Sequence, residues 1–181
     1  MRLTMRCAVL AVLVLLTSVL LSAVTPTMTA SQRATLKTAI QADPVANQFF
    51  LDGNLTGLAA RLNETASPSF TVWKTAVAQE QVGRAFNTTE LAGLSALNTQ
   101  RLQNIEQWFD VFNPTLPTDR AFFDDIFSGA GGANTRAALL VLWKRLATRV
   151  ERPFATGTGS DAVPGVIVIE GPISTDELVG L

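Results

Sequence analysis

The sequence predicts a mainly α-helical fold, a single helical domain with a short C-terminal β-strand. Two long amphipathic patterns at helical spacing, over 87–112 and 135–152, carry most of that prediction, and a β-branched run at 165–170 supplies the strand. The chain has 181 residues, 48% of them apolar, which suits one domain with a packed core.

Part of the apolar content belongs to residues 1–27. Arginines stand at positions 2 and 6, and Cys7–Val24 then runs without a charge. The run is longer than the apolar core of an ordinary signal peptide and just long enough to span a bilayer. No small-x-small cleavage site follows it, and Cys7 precedes the run, unlike a lipoprotein cysteine. Three readings stand: a signal anchor with its basic end in the cytoplasm, an uncleaved export signal, or a start codon placed upstream of the native Met28. Without Arg2 and Arg6, 12 basic residues face 15 acidic ones, a net charge of −3.

Residues 28–181 read as the domain itself. Ser31–Ala42 favours a helix closed by Asp43-Pro44, and Leu55–Asn63 a second one entered through Asp52-Gly53-Asn54. Ser67-Pro68 has the form of an N-cap with proline in the first turn, followed by Phe70, Trp73 and Val77 at helical spacing. Asn87 and Glu90 form a capping-box pattern at the head of the longest element, 87–112. Its stripe of Leu91, Leu94, Leu97, Leu102, Ile105, Trp108, Phe109 and Phe112 predicts a core-facing surface that ends at Pro114. Asp119–Phe127 is a short Phe-rich helix, and Ser128–Gly132 a flexible link. Thr135–Arg152 is the second strong helix, with Leu139, Leu142, Trp143, Leu146 and Val150 on one side and Pro153 as its stop. After a loop at 156–161, Gly165–Glu170 reads as a strand that must pair within the chain or with another subunit. Ser174 or Thr175 caps a last turn through Leu178.

Absent residue types exclude most chemistry. There is no histidine and no tyrosine, and Cys7 is the sole cysteine. Ser-His-Asp and Cys-His nucleophiles, histidine acid–base work, intramolecular disulfides and most zinc sites are therefore excluded, while carboxylate-only and Ser-Lys mechanisms survive. Ser128–Gly132 lacks the Gly-Lys-Ser/Thr ending of a phosphate loop, and Gly157-Thr-Gly159 has Ala162 where a dinucleotide fingerprint needs glycine. Asp124-Asp125, with Asp119 and Asp110, points to a solvated face more than to a cation site. Asn54, Asn63 and Asn87 head sequons that a Thr-rich chain produces by chance. No catalytic, cofactor-binding or metal-ligating residue is assigned, and no cofactor or small-molecule substrate is expected.

The remaining candidate is a basic cluster: Arg136, Lys144, Arg145, Arg149 and Arg152, five of the fourteen basic residues against the single acid Glu151. On an unbroken helix the last four fall opposite the apolar stripe. Such a face is a solvated surface, or an interaction face that meets the acids of 110–125 within or between chains; mild acidity overall makes a nucleic-acid partner the least favoured use.

From Met28 onward the chain resembles a family of short proteins encoded by bacteriophages and prophages. The likeness rests on "VWKTAV" at 72–77, "ELAGLSALNTQRLQNIEQW" at 90–108, and above all "RAFFDDIFSGAGGANTRAALLVLWKRLATRVERPFATGTG" at 120–159, with the strand and "IEGPIS" at 169–174. No activity attaches to that family, so no site residue carries over. The resemblance implies a phage product of the virion-assembly region whose partners are its own copies or virion proteins. It also implies a native start at Met28, and so a place in the host cytoplasm or the virion; retention of 1–27 would put the chain at the inner membrane.

Overall fold

The computed structural model describes residues 28–181, so the readings of Cys7–Val24 lie outside the described residues. Among these, nine α-helices dominate and the strands are two or three residues long, which makes the fold mainly α. No helix among them is long and apolar enough to cross a membrane.

The first three helices follow from their caps. Thr29 and Gln32 form a reciprocal capping box on α1 (Ala30–Ala42). Asp43 ends α1 and also caps α2 (Pro44–Leu51), whose proline occupies the first turn. Asp43-Pro44, expected as a stop, is thus also a start. Asn54 caps α3 (Leu55–Leu62). The three helices bury Leu36, Ile40, Ala46, Leu58 and Leu62 together with Val150, Ile173 and Leu178 in an aliphatic core.

The expected helix after Pro68 is absent. The Ser67-Pro68 bond is cis, and Thr71–Trp73 forms β1. Phe70, Trp73 and Val77 therefore reach their neighbours from extended backbone. The chain continues through β2 (Val77–Ala78), α4 (Gln79–Ala85), α5 (Thr88–Ala92), α6 (Ala96–Trp108), β3 (Val111–Phe112) and α7 (Pro117–Ile126).

The predicted 87–112 helix is thus three pieces. Gly93 ends α5, and Ser95 restarts the chain by accepting from the Asn98 amide at 3.2 Å. Phe109 turns extended, and β3 pairs antiparallel with β2. Each break rotates the next piece relative to the one before, so the apolar stripe calculated for one helix does not reach the core as a unit. Leu102 and Phe112 are buried, whereas Leu97 and Trp108 are 67% and 75% exposed.

A 3₁₀ turn (Ala130–Gly132) leads into α8 (Ala133–Trp143). Val77, Val82, Leu102, Phe112, Phe123, Phe127, Leu139 and Trp143 form the second core, which is largely aromatic. Phe123 is its hub, edge-on to Phe112 and Phe122 at 5.2 and 5.5 Å between ring centres.

The second predicted helix also stops early. At Lys144 the backbone becomes extended, and β4 (Lys144–Leu146) pairs antiparallel with β1, Val72 facing Arg145. The local sequence Lys-Arg-Leu-Ala favours helix, but β1 offers the backbone a ladder, and tertiary pairing overrides the propensity. Residues 139–150 consequently run through the whole molecule: Leu139 and Trp143 lie in the aromatic core, Ala147 under the strands, and Val150 in the aliphatic core.

The strand expected over 165–170 is shorter and pairs inside the chain. β6 (Val166–Ile167) is antiparallel to β5 (Ala155–Thr156), and Gly165 bridges in parallel to Val72. Val72, Ala147 and Ile167 form a small third cluster beneath these strands. Each of the two glycine stretches holds one tightly packed glycine, while Gly129 and Gly131 stand in open space. A Cβ on Gly159, whose φ is +64°, would stand 2.2 Å from the Phe70 ring, and one on Gly132 would stand 2.0 Å from the Phe127 carbonyl oxygen. Ser174 and Glu177 form a capping box on the last turn, α9 (Thr175–Leu178).

Candidate functional site

Four of the five basic residues do not share a helix face, because α8 ends before Lys144. What the fold does with them is settled by their partners. Arg145 grips Glu151 with both terminal nitrogens, at 2.8 and 2.7 Å, and reaches Glu170 at 2.8 Å. Glu151 is 2% exposed and also accepts the amides of Thr148 and Gly171. Thr75 donates to the far side of Glu170. The arrangement ties β4 to the turn after it and to the segment after β6.

Burial pushes the Glu151 carboxyl up, but the Arg145 bond and the two amides outweigh it and hold the group below the usual carboxylate range. The same bond, led by Glu151, raises Arg145 further above its already high value. A pair so firmly ionised cannot exchange protons near neutral pH, which suits a clamp and not an acid–base centre.

Arg149 belongs to a second ionic cluster on the aliphatic side. It donates to Asp43 at 3.0 Å and lies 3.4 Å from Glu64, and Arg61 binds the same two carboxylates at 3.1 and 2.7 Å. Asp43 also accepts from Val45 and Ala46. Burial raises its pKa, yet those amides and the two guanidiniums together lower it below the ordinary value. Arg152 donates to the Ser67 carbonyl oxygen at 3.1 Å, and Lys144 meets the exposed Asp161 at 2.7 Å. Arg136 stays on α8 and donates to the carbonyl oxygens of Phe127 and Gly129.

The pairing expected with the acids of 110–125 is not made by these cations within the described residues. Asp119 accepts from the Asn113 amide, Asp125 lies 3.8 Å from Arg101, and Asp110 and Asp124 face water. No group of three or more His, Cys, Asp or Glu gathers for a metal among the described residues.

The Asn87–Glu90 pattern is only half a capping box. Asn87 caps α5 through Thr89 and Glu90, but the Glu90 carboxylate turns away to accept the amides of Asn134 and Thr135 at 2.9 and 2.8 Å. Gly132 at the head of α8 has no side chain with which to cap it, so Glu90 serves that end from a distance. In return the Thr135 hydroxyl accepts the Asn87 amide at 3.0 Å. Burial would raise the Glu90 pKa, and the Thr135 and Asn134 donors lower it. The other sequon asparagines are used too: Asn54 caps α3, and Asn63 pairs with both backbone groups of Ile173 at 2.8 and 2.9 Å.

What sequence reasoning missed is an apolar rim. Around the end of α6 and the entry to α7, Trp108, Phe109, Val111 and Leu116 stand between 47% and 75% exposed. Of these, Phe109 lines a groove of about 200 Å³ together with Ile105, Phe112, Phe122 and Phe123. The aromatic density of 105–127 was visible in the sequence; its exposure depended on the helix breaks. No protein-family model, curated protein or solved structure matches this chain.

Proposed function

We propose that this chain is a non-enzymatic structural or assembly protein of a phage particle, acting through contacts with its own copies or with virion proteins. The observation that supports an interaction role is the rim of Trp108, Phe109, Val111 and Leu116 beside its groove. Large aromatic side chains in water next to a concave apolar surface are the composition of an interface centre. Asp43, Glu90 and Glu151, held ionised by amides and guanidiniums, serve structural ends. The phage assignment rests on the likeness of 72–77, 90–108 and 120–159 to phage and prophage proteins.

The test is mass spectrometry of the native N-terminus in particles, cytosol and membranes of an induced lysogen. The expected result is a chain beginning at Met28 or Thr29 and enriched in particles. A chain that retains Cys7–Val24 in the membrane fraction overturns the proposal in favour of an anchored accessory protein. A monomer absent from particles overturns it as well.

A further inference from the structure

A cavity of about 340 Å³ opens where the end of α1, the end of α3 and the 3₁₀ turn at Arg152–Phe154 meet. It lies on the opposite core from the apolar rim and shares no residue with it. Its charged lining is Asp43, Arg149 and Arg152, and its walls are small or apolar, including Ala42, Leu62 and Ala66. The volume falls in the lower range of small-ligand sites.

The charges around this cavity do not balance. Arg61, Arg149 and Arg152 stand against Asp43 and Glu64, three guanidiniums to two carboxylates. Asp43 is occupied by two amides and two arginines. Arg152 has no carboxylate partner among the described residues, and its one hydrogen bond there uses Nη1. Its Nε–Nη2 edge, the side of a guanidinium that matches a carboxylate bidentately, is thus uncommitted. Arg149 Nε is buried without a hydrogen-bond partner, although Glu64 is 3.4 Å away. One positive charge is left over at the mouth of a partly apolar cavity.

We infer that this cavity binds a monoanionic carboxylate with a short apolar tail, the carboxylate on the Nε–Nη2 edge of Arg152 and the tail along the alanine wall. A single charge is favoured over a phosphate dianion because Asp43 and Glu64 repel the second charge. The same chemistry is offered by a free short-chain acid and by the C-terminal carboxylate of a peptide.

The experiment is ligand-observed saturation-transfer NMR on the full chain, with four probes: butyrate, N-acetyl-Ala-Ala, its C-terminal carboxamide, and inorganic phosphate as competitor. Saturable transfer to butyrate is expected if a free acid suffices, and to N-acetyl-Ala-Ala alone if a peptide terminus is required; the carboxamide gives none, and phosphate competes poorly. Arg152→Gln should weaken binding by about tenfold or more, the loss of a charged bidentate contact. Ala42→Leu fills the cavity from its exposed rim and should abolish binding, which keeps the inference decidable if Arg152→Gln misfolds. No saturable transfer to either acid, equal binding of the carboxamide or phosphate, or full affinity in a folded Ala42→Leu chain overturns it.

Discussion

The aliphatic core under α1–α3 and the aromatic core among α4–α8 meet water in different ways. The aliphatic core is bordered by paired charges: Asp43, Arg61, Glu64 and Arg149 cross-link α1, α3 and the 148–151 turn. The aromatic core ends in unpaired apolar surface, with Trp108, Phe109, Val111 and Leu116 beyond the Phe123 hub. Charged borders fix register within a chain at little net gain in stability, whereas an open aromatic border costs solubility unless another surface covers it. The difference separates a part whose border charges are met within the chain from a part that leaves large apolar side chains in water.

That contrast is best tested from the inside outward. Phe123→Ala should lower unfolding free energy by about 3–5 kcal/mol in urea titration, the range for a fully buried aromatic. Because residues 139–150 thread all three clusters, the loss should appear in a single transition sensed equally by Trp73, Trp108 and Trp143 fluorescence and by far-UV circular dichroism. Two separated transitions would show the cores to be independent.

Glu151→Gln comes next, at about 3 kcal/mol, since it leaves Arg145 without its buried counter-charge. Replacing the exposed Asp161, which pairs with Lys144, should change stability by less than about 0.5 kcal/mol.

Acid sharpens the comparison in a different way. The folded pKa values of Asp43, Glu90 and Glu151 lie below their ordinary 3.8, 4.5 and 4.5. Between those two sets of values the unfolded chain binds more protons than the folded one, so stability rises with pH through that window. The contribution is complete above the ordinary values and is lost as pH falls through the depressed ones. Thermal melts from pH 7 down to 2 should show Tm flat at first and then falling below about pH 4.5. In Glu151→Gln the fall should be shallower, and an unchanged slope would assign the acid sensitivity to other groups.

A comparably small stability effect is expected at the rim. Trp108→Ser with Phe109→Ser should leave unfolding free energy within about 0.5 kcal/mol per site, yet reduce self-association in sedimentation velocity or incorporation into particles. A large loss of stability with no change in association would make the rim part of the core.

Much of the fold was legible from local signals. Asn87 and Ser174 cap helices as expected, and the turn read at Asp52-Gly53-Asn54 does lead into a helix, whereas Pro44, read as a stop, also opens a helix, and the starts at Thr29 and Pro117 precede the expected ones. The structure departs from the sequence reading where pairing across the chain, or a local break, overrode the helical periodicity. Nothing near Lys144 announces a strand, because its cause is β1, far earlier in the chain. The helix stripe of 87–112 failed at Gly93, where a single glycine outweighed a strong periodicity. The basic residues were found in the sequence, but their roles depended on Asp43, Glu64 and Glu170, which only the fold brings near them.

The reciprocal bonds among Asn87, Glu90 and Thr135 fasten the base of the stretch that carries the rim. They clasp the two ends of residues 91–133, a stretch that carries the rim and also supplies Leu102, Phe112, Phe123, Ile126 and Phe127 to the aromatic core. The clasp joins two helix starts, and the stretch between them is held as well by its burial in that core and by the β2–β3 ladder. Loosening it should therefore disturb the rim and the aromatic core together, because one stretch of chain builds both. A carboxylate outside the rim thereby bears on where the rim's side chains stand.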